Sequence, residues 1–299
     1  MVLASLDRFV ELAGQKGIKK LVIAVAQDED VLTAAGIARN KGLITPVLVG
    51  NELAIRDISD KVGLALDGID INHEPDSAAA CVLSVKIIRE GKADILMKGM
   101  VATGILVKAI LDKEVGLLKG GLLSHLAFFE SPYYPKLLCV TDAALNINPE
   151  ISDKVSIVVN AVNAYHSLGI SKPRVAILAP VETVNPKMEA TVHGAMLTQM
   201  QRRKQIKGCL IDGPLALDNA VSAEAAHHKG LVSEVAGQAD ILVAPDLNTG
   251  NVLYKSLNFL GGAVCAAVVS GACVPVVLTS RADDEKSKYL SIALAVAMT

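Results

Sequence analysis

The segment Ser280-Arg281-Ala282-Asp283-Asp284 carries the densest chemistry in the sequence. Arg281 is the first charged residue after an uncharged stretch running from Ser256 to Ser280. A guanidinium at the end of an apolar strand can grip a phosphate or carboxylate through two parallel hydrogen bonds, and Ser280 can donate one more. Asp283 or Asp284 can cap a following helix. A carboxylate beside a serine and an arginine can equally act as a general base, so both roles stay open for both acids.

Comparable polar loops follow other apolar runs. They are Lys98-Gly99 with Thr103-Gly104, Thr141-Asp142 with Asn146 to Glu150, Glu182 with Asn185-Pro186, Asp212-Gly213-Pro214, and Asp246 with Asn248-Thr249-Gly250-Asn251. In an open parallel sheet ligands bind beyond the carboxyl ends of the strands, where these loops would lie. Lys98-Gly99 and Thr249-Gly250-Asn251 are each expected to open a helix, whose exposed N–H groups and positive end favour an anion; ordinary capping is the alternative for each Thr and Asn. The sequence has no Walker motif and no G-x-G-x-x-G after a strand, which counts against nucleotide chemistry of the standard kinds. Asp212, Asp246 and Glu182 could hold Mg²⁺, but without a D-x-D pattern backbone hydrogen bonding is the favoured reading. His125 and His193 make a Ser/His/Asp triad conceivable, although no G-x-S-x-G elbow is present. His73, His166, His227 and His228 read as surface residues.

Positioning these loops requires a core, and the composition provides it. Of 299 residues 52% are hydrophobic and only 3% aromatic, with no Trp, so the core material is aliphatic. Eight short runs, Lys20–Val25, Pro46–Val49, Asp94–Met97, Lys136–Thr141, Arg174–Ala179, Gly208–Ile211, Asp240–Ala244 and Val274–Thr279, are apolar on both faces, as strands of a helix-covered parallel sheet must be. Helical patterns such as Ser77–Glu90, Ser152–Leu168, Pro186–Lys204 and Asn251–Ser270 lie between them and predict an α/β protein. The sequences Gly91-Lys-Ala-Asp94-Ile-Leu96 and Gly237-Gln-Ala-Asp240-Ile-Leu242 echo each other nearly half a chain apart, hinting at two similar α/β halves.

The balance of 29 basic and 31 acidic residues argues against wholesale nucleic-acid binding, and Arg202-Arg203-Lys204 reads as a solvated helix end. Five scattered cysteines without a C-x-x-C pair suit a reducing compartment rather than a disulfide or structural metal. No export signal is expected with Asp7, Arg8 and Glu11 at the start, and Gly and Pro residues within Ser256–Ser280 favour a buried helix and strand over a membrane span.

Pro245-Asp246-Leu-Asn248-Thr249-Gly250-Asn251-Val-Leu-Tyr254-Lys255 and Pro275-Val-Val-Leu-Thr279-Ser280-Arg281-Ala-Asp283 resemble signature segments of the phosphate acetyl/butyryltransferase family. Lys98-Gly99 with Thr103, Asn146 to Glu150, Val181-Glu182 with Asn185 to Met188, and Asp212-Gly213-Pro214 fall in the same order. With Asp212-Gly-Pro-Leu-Ala-Leu-Asp-Asn-Ala220, the chain is most similar to the butyryl branch, the branched-chain phosphotransacylase type. The resemblance implies two α/β domains with mostly parallel sheets and an interdomain cleft, as in isocitrate and isopropylmalate dehydrogenases. The first domain would span 1–140 plus 275–299 and the second 141–274.

It implies reversible transfer of a short acyl group between CoA and phosphate by a cytoplasmic homodimer. CoA would be a substrate, with no metal or other cofactor, no nucleic acid and no membrane partner. Ser280 and Arg281 match the family's pair at the phosphate and the developing charge. The general base falls on Asp283 or Asp284, since the connection is shorter here. Lys98, Gly99, Thr103, Asn248, Thr249, Gly250 and Asn251 are the expected substrate-binding positions, joined by Lys108, near where acetyl enzymes carry a phosphate-binding Arg. An acetyl-specific enzyme is the alternative within the class, and an NAD-dependent, metal-assisted dehydrogenase is the alternative for the same fold.

Overall fold

The computed structural model describes residues 2–279 and 283–299. The chain divides into two compact units, named here by their place in the sequence. The terminal unit is Asp7–Gly120 with Ala266–Thr299, and the middle unit is Gly121–Cys265 with the few residues before Asp7. The exchanges that the family resemblance implies lie near 140 and 275.

In the terminal unit, β1 (Lys19–Ala24), β2 (Ile44–Gly50), β3 (Asp70–His73), β4 (Ile95–Lys98), β10 (Val264–Ser270, most of it here) and β11 (Val276–Val277) lie in the order β3-β2-β1-β4-β11-β10. All neighbours are parallel except β10 and β11. Helices α1 (Asp7–Gly14), α2 (Glu29–Asn40), α3 (Glu52–Val62), α4 (Ser77–Arg89), α5 (Thr103–Ile110) and α11 (Glu285–Ala297) complete it. Strand β1 is buried from Leu21 to Ala24 and β4 throughout, which is the double-sided burial that their unbroken aliphatic runs require.

In the middle unit the order is β5-β6-β9-β7-β8, from β5 (Ser124–Glu130), β6 (Leu138–Thr141), β7 (Arg174–Leu178), β8 (Leu210–Leu215) and β9 (Ile241–Val243). Strands β5 and β6 form an antiparallel pair, which ties the segment before residue 140 to the segment after it; the remaining neighbours are parallel. The helices are α6 (Ile151–Ser167), α7 (Glu189–Arg202), α8 (Leu217–Val221), α9 (Ala223–His228) and α10 (Leu247–Phe259). Phe128 stacks on Tyr165, and Phe129 meets Tyr254 edge to face, so four of the few aromatic rings anchor this unit's core.

All eight expected strands are present, and β3, β5 and β10 add to them. The helix expected over Asn251–Ser270 stops at Phe259. Gly261 and Gly262, the latter at φ +63°, break it, and Val264-Cys-Ala-Ala-Val-Val-Ser270 continues as a strand buried along its centre. No helix among the described residues is long and apolar enough to cross a membrane.

Candidate active site

In the terminal unit the chemistry collects where β4 and β11 end. These strands are parallel neighbours with Val276 opposite Leu96 and Val277 opposite Met97. One step further along this register stand Leu278 and Lys98, so the loop from Lys98 to Thr103 and the loop entering Ser280-Arg281 leave adjacent strands at the same end. Ser280, Arg281 and Ala282 themselves lie outside the described residues.

Lys98 is buried, with its ammonium donating to the carbonyls of Gly99 at 3.1 Å and Val101 at 3.3 Å. Gly99 allows this loop to press on the end of β1. Its N–H donates to the Ala24 carbonyl at 2.9 Å, and a Cβ at position 99 would stand 2.1 Å from the Val25 carbonyl oxygen. Val25 itself has φ +58°, an outlying conformation for a β-branched residue. Its carbonyl receives the Met100 N–H at 2.8 Å, so the strained residue shapes the loop beside Lys98.

Lys98-Gly99 do not open the helix directly, because α5 starts at Thr103. Its N-cap is Ala102, which supplies no side-chain cap, so Thr103 sits on a helix end whose first N–H groups lack that acceptor. Lys108 falls in the last turn of the same helix and is exposed, about 7.5 Å along the axis from Thr103. The structure therefore gathers Lys98, Gly99 and Thr103 and sets Lys108 apart at the other helix end.

The two acids after the 280–282 segment differ. Asp284 is the N-cap of α11 and accepts the Ser287 N–H at 2.8 Å. Burial raises its carboxyl pKa, but the Ser287 hydrogen bonds and the charges of Lys286 and Lys288 outweigh this and hold it below the ordinary aspartate value. Asp283 is buried, and its backbone carbonyl accepts from the equally buried Lys288 ammonium, which also reaches Asp30 at 3.1 Å. The cap role thus belongs to Asp284.

In the middle unit the loop after β6 is organised by Asp142. Its Oδ1 accepts the N–H groups of Ala144 at 2.7 Å and Leu145 at 3.0 Å, and its Oδ2 accepts the His125 N–H at 3.2 Å and the Asn146 amide. Helix α10 packs onto this loop. Asp246 is its N-cap, accepting the Thr249 N–H at 2.8 Å. Gly250 is buried where a Cβ would come within 2.1 Å of the Asp142 carbonyl oxygen, and the Asn251 amide donates to the Ala143 carbonyl at 3.0 Å. Asn248 and Thr249 are exposed on the first turn. Of the four expected binding positions here, Gly250 and Asn251 hold the loop, while Asn248 and Thr249 are accessible.

The other acids of this unit have local work. Glu182 pairs with Lys229 at 3.1 Å, which holds its carboxyl below the usual glutamate range, and Asp212 accepts the Gly213 N–H at 2.9 Å. Among the described residues no group of three His, Cys, Asp or Glu side chains could hold a metal ion. Cys81 lies near Lys98, yet burial outweighs that charge and pushes its thiol up to about 11.

A further cluster escaped the sequence reading as a cluster. Lys154 on α6 is buried and lies 2.9 Å from Nδ1 of His193 on α7. The available signal was Lys154's place three and four residues before Ile157 and Val158, on the buried stripe of α6.

A model of the family described as phosphate acetyl/butaryl transferase matches residues 76–296. The chain is 45% identical to the phosphate butyryltransferase of Clostridium acetobutylicum over 294 residues, covering 98% of each chain. It is 43% identical to the phosphate acetyltransferase of Thermotoga maritima over 291 residues, covering 97% of this chain and 98% of the other. A branched-chain phosphotransacylase from Enterococcus faecalis V583 superposes with a TM-score of 0.82 at 32% identity, covering 94% of this chain and 98% of that one. The protein is an acyltransferase. It belongs to the phosphate acetyl/butyryl transferase family.

Proposed function

We propose that this enzyme reversibly transfers a butyryl or branched-chain acyl group between CoA and inorganic phosphate. The observation that carries the reading is the full-length similarity to phosphate butyryltransferase, together with the adjacent strand ends that lead into Lys98-Gly99 and Ser280-Arg281.

A phosphate oxygen attacks the thioester carbonyl, a tetrahedral oxyanion forms, and the C–S bond breaks to release CoA thiolate and acyl phosphate. In reverse, the CoA thiol loses its proton to a base and attacks the acyl phosphate carbonyl. Arg281 and Ser280 supply donors to phosphate and to the developing negative charge, where one well-placed donor is worth on the order of a hundredfold. Asp283 is assigned as the base because Asp284 is committed to capping α11. Lys98, Gly99 and Thr103 support the anion at the β4 end. Asn248 and Thr249 are the accessible binding positions of the middle unit, and Lys108 takes a peripheral place in this assignment. These steps balance without a metal or redox cofactor, with CoA as a substrate. Direct attack needs no acyl-cysteine, in keeping with the raised Cys81 thiol. We assign the working enzyme to the cytoplasm as a homodimer, which sedimentation of the purified protein tests.

The experiment is release of CoA thiol from butyryl-, isobutyryl- and acetyl-CoA with phosphate or arsenate. Preference for the four-carbon substrates is expected; strong acetyl preference would transfer the chain to the acetyl branch, whose Thermotoga maritima member is nearly as similar. The variant Arg281→Gln should lose turnover by about a hundredfold or more with its fold intact, and near-normal kcat would overturn the assignment.

A further inference from the structure

Lys154 lies in the first turns of α6, after β6; His193 is the fifth residue of α7, after β7; and Asp246 caps α10, after β9. Because β6, β9 and β7 run parallel, all three helix starts lie at the carboxyl end of this unit's strands. The Lys154 ammonium is buried, an unfavourable placement unless it is compensated. Its hydrogen-bond partner among the described residues is neither a carboxylate nor a carbonyl, but Nδ1 of half-buried His193 at 2.9 Å. An ammonium can only donate, so Nδ1 must offer its lone pair and the ring's proton must sit on Nε2. Nε2 has no hydrogen-bond partner within the chain among the described residues.

We propose that Lys154 fixes His193 as a neutral imidazole protonated on Nε2, so that α7 presents a constant N–H donor to an acceptor oxygen of the substrates. The chemistry recognised is an oxygen lone pair, whether from phosphate or from the carbonyl groups of an acyl-CoA. Lys154 is the positioning residue and His193 the one that meets substrate. This role rests on the acyl-transfer reading above; the locked tautomer does not. Burial and the Lys154 charge hold the His193 ring below the ordinary imidazole value despite Glu189, and burial likewise lowers Lys154 despite Glu189 and Asp246. The His193 shift keeps the ring uncharged near neutrality, and the Glu189 and Asp246 carboxylates favour the charged, donating form of Lys154 against its burial.

The test combines a spectrum and a rate on the full chain. Long-range ¹H–¹⁵N spectra, with His193 assigned by its loss in His193→Gln, should show the Nε2–H form at neutral pH and below the pH at which an ordinary histidine takes up its second proton. In Lys154→Met the tautomers should mix and the ring's midpoint should rise. An Nδ1–H form, or a charged ring at pH 7 in the wild type, would overturn the lock. Kinetically, His193→Leu should lose about tenfold or more in kcat/KM, with His193→Gln, whose amide N–H reaches a similar position, recovering most of it. A loss in the phosphate KM identifies phosphate as the acceptor, and a loss in the acyl-CoA KM identifies the thioester substrate. A folded His193→Leu enzyme within twofold of wild type for both substrates would overturn the contact. A wild-type enzyme inactive in every acyl-transfer assay, with the Nε2–H signal intact, would instead remove the proposed reaction and the substrate contact built on it, leaving only the lock.

Discussion

Asp284 Oδ1 receives the backbone N–H of Ser287 at 2.8 Å and thereby closes the first turn of α11. The cap, which the sequence alone leaves open between two adjacent aspartates, falls on Asp284, and the proposal above gives the base to Asp283.

The division predicts opposite phenotypes. Asp284→Ala should cost about 1 kcal/mol of stability, the usual worth of an N-cap, and leave kcat within a few fold. Asp283→Asn should do the reverse, removing turnover and the basic group from the pH–rate profile. Denaturant unfolding adds a pH signature. The Asp284 carboxyl lies lower in the folded chain than in the unfolded one, so its stabilisation is complete above the ordinary aspartate value and disappears as pH falls through the lower folded value. Wild type and Asp284→Ala should therefore converge in acid below about pH 4. Equal loss of turnover in both variants would refute the division.

The echo between the two halves has a shared physical basis, which yields a second prediction. Asp94 donates its N–H to the Lys20 carbonyl and accepts the Lys20 N–H on its carboxylate, both at 2.8 Å. Asp240 does the same with Arg174, at 2.8 Å and 2.7 Å, and adds an ion pair with Lys136. Each aspartate clasps a residue at the start of the neighbouring strand, the second of β1 and the first of β7. Asp240→Ala, which strands a largely buried ammonium as well as an N–H, should cost about 3 kcal/mol or more. Asp94→Ala, at an exposed clasp, should cost about 1 kcal/mol. Urea unfolding measures both, and equal costs would show that the Lys136 pair contributes nothing.

The cysteines give a third. Burial pushes the thiols of Cys81 and Cys209 up to about 11, and Cys139 is raised further, whereas Cys273 is exposed. A thiol reagent at pH 8 should label Cys273 first, with the four buried thiols, Cys265 included, reacting only on unfolding. Cys81→Ala should keep turnover within a few fold, as direct transfer requires. Rapid labelling of Cys81 with loss of activity would argue for a covalent route.

Much of this architecture was legible because buried parallel strands announce themselves as unbroken aliphatic runs. Strand β3, Asp70-Ile-Asn-His73, has no such run, and β5 begins with Ser124-His125, so neither stood out. Strand β10 was hidden by composition: Val264-Cys-Ala-Ala-Val-Val suits either structure until the glycines before it are given their breaking role. In the site, the polar loops at strand ends were readable from residue types. What each residue does was less so. Gly250 and Asn251 match a binding motif yet brace the Asp142 loop, and the Lys154–His193 pair joins two helices whose facing sides only tertiary packing defines.

The return of the chain to finish the terminal unit also sets a timetable for synthesis. Strand β4 leaves the ribosome about 180 residues before β11, its parallel neighbour. At roughly 5–20 residues per second, the edge of β4 waits on the order of ten to thirty seconds while residues 121–265 of the middle unit are made. During that interval the nascent chain carries an open, mostly apolar strand edge, the kind of surface that recruits chaperones or pairs with a neighbouring chain. The last 34 residues, Ala266–Thr299, act as the latch that ends this exposure.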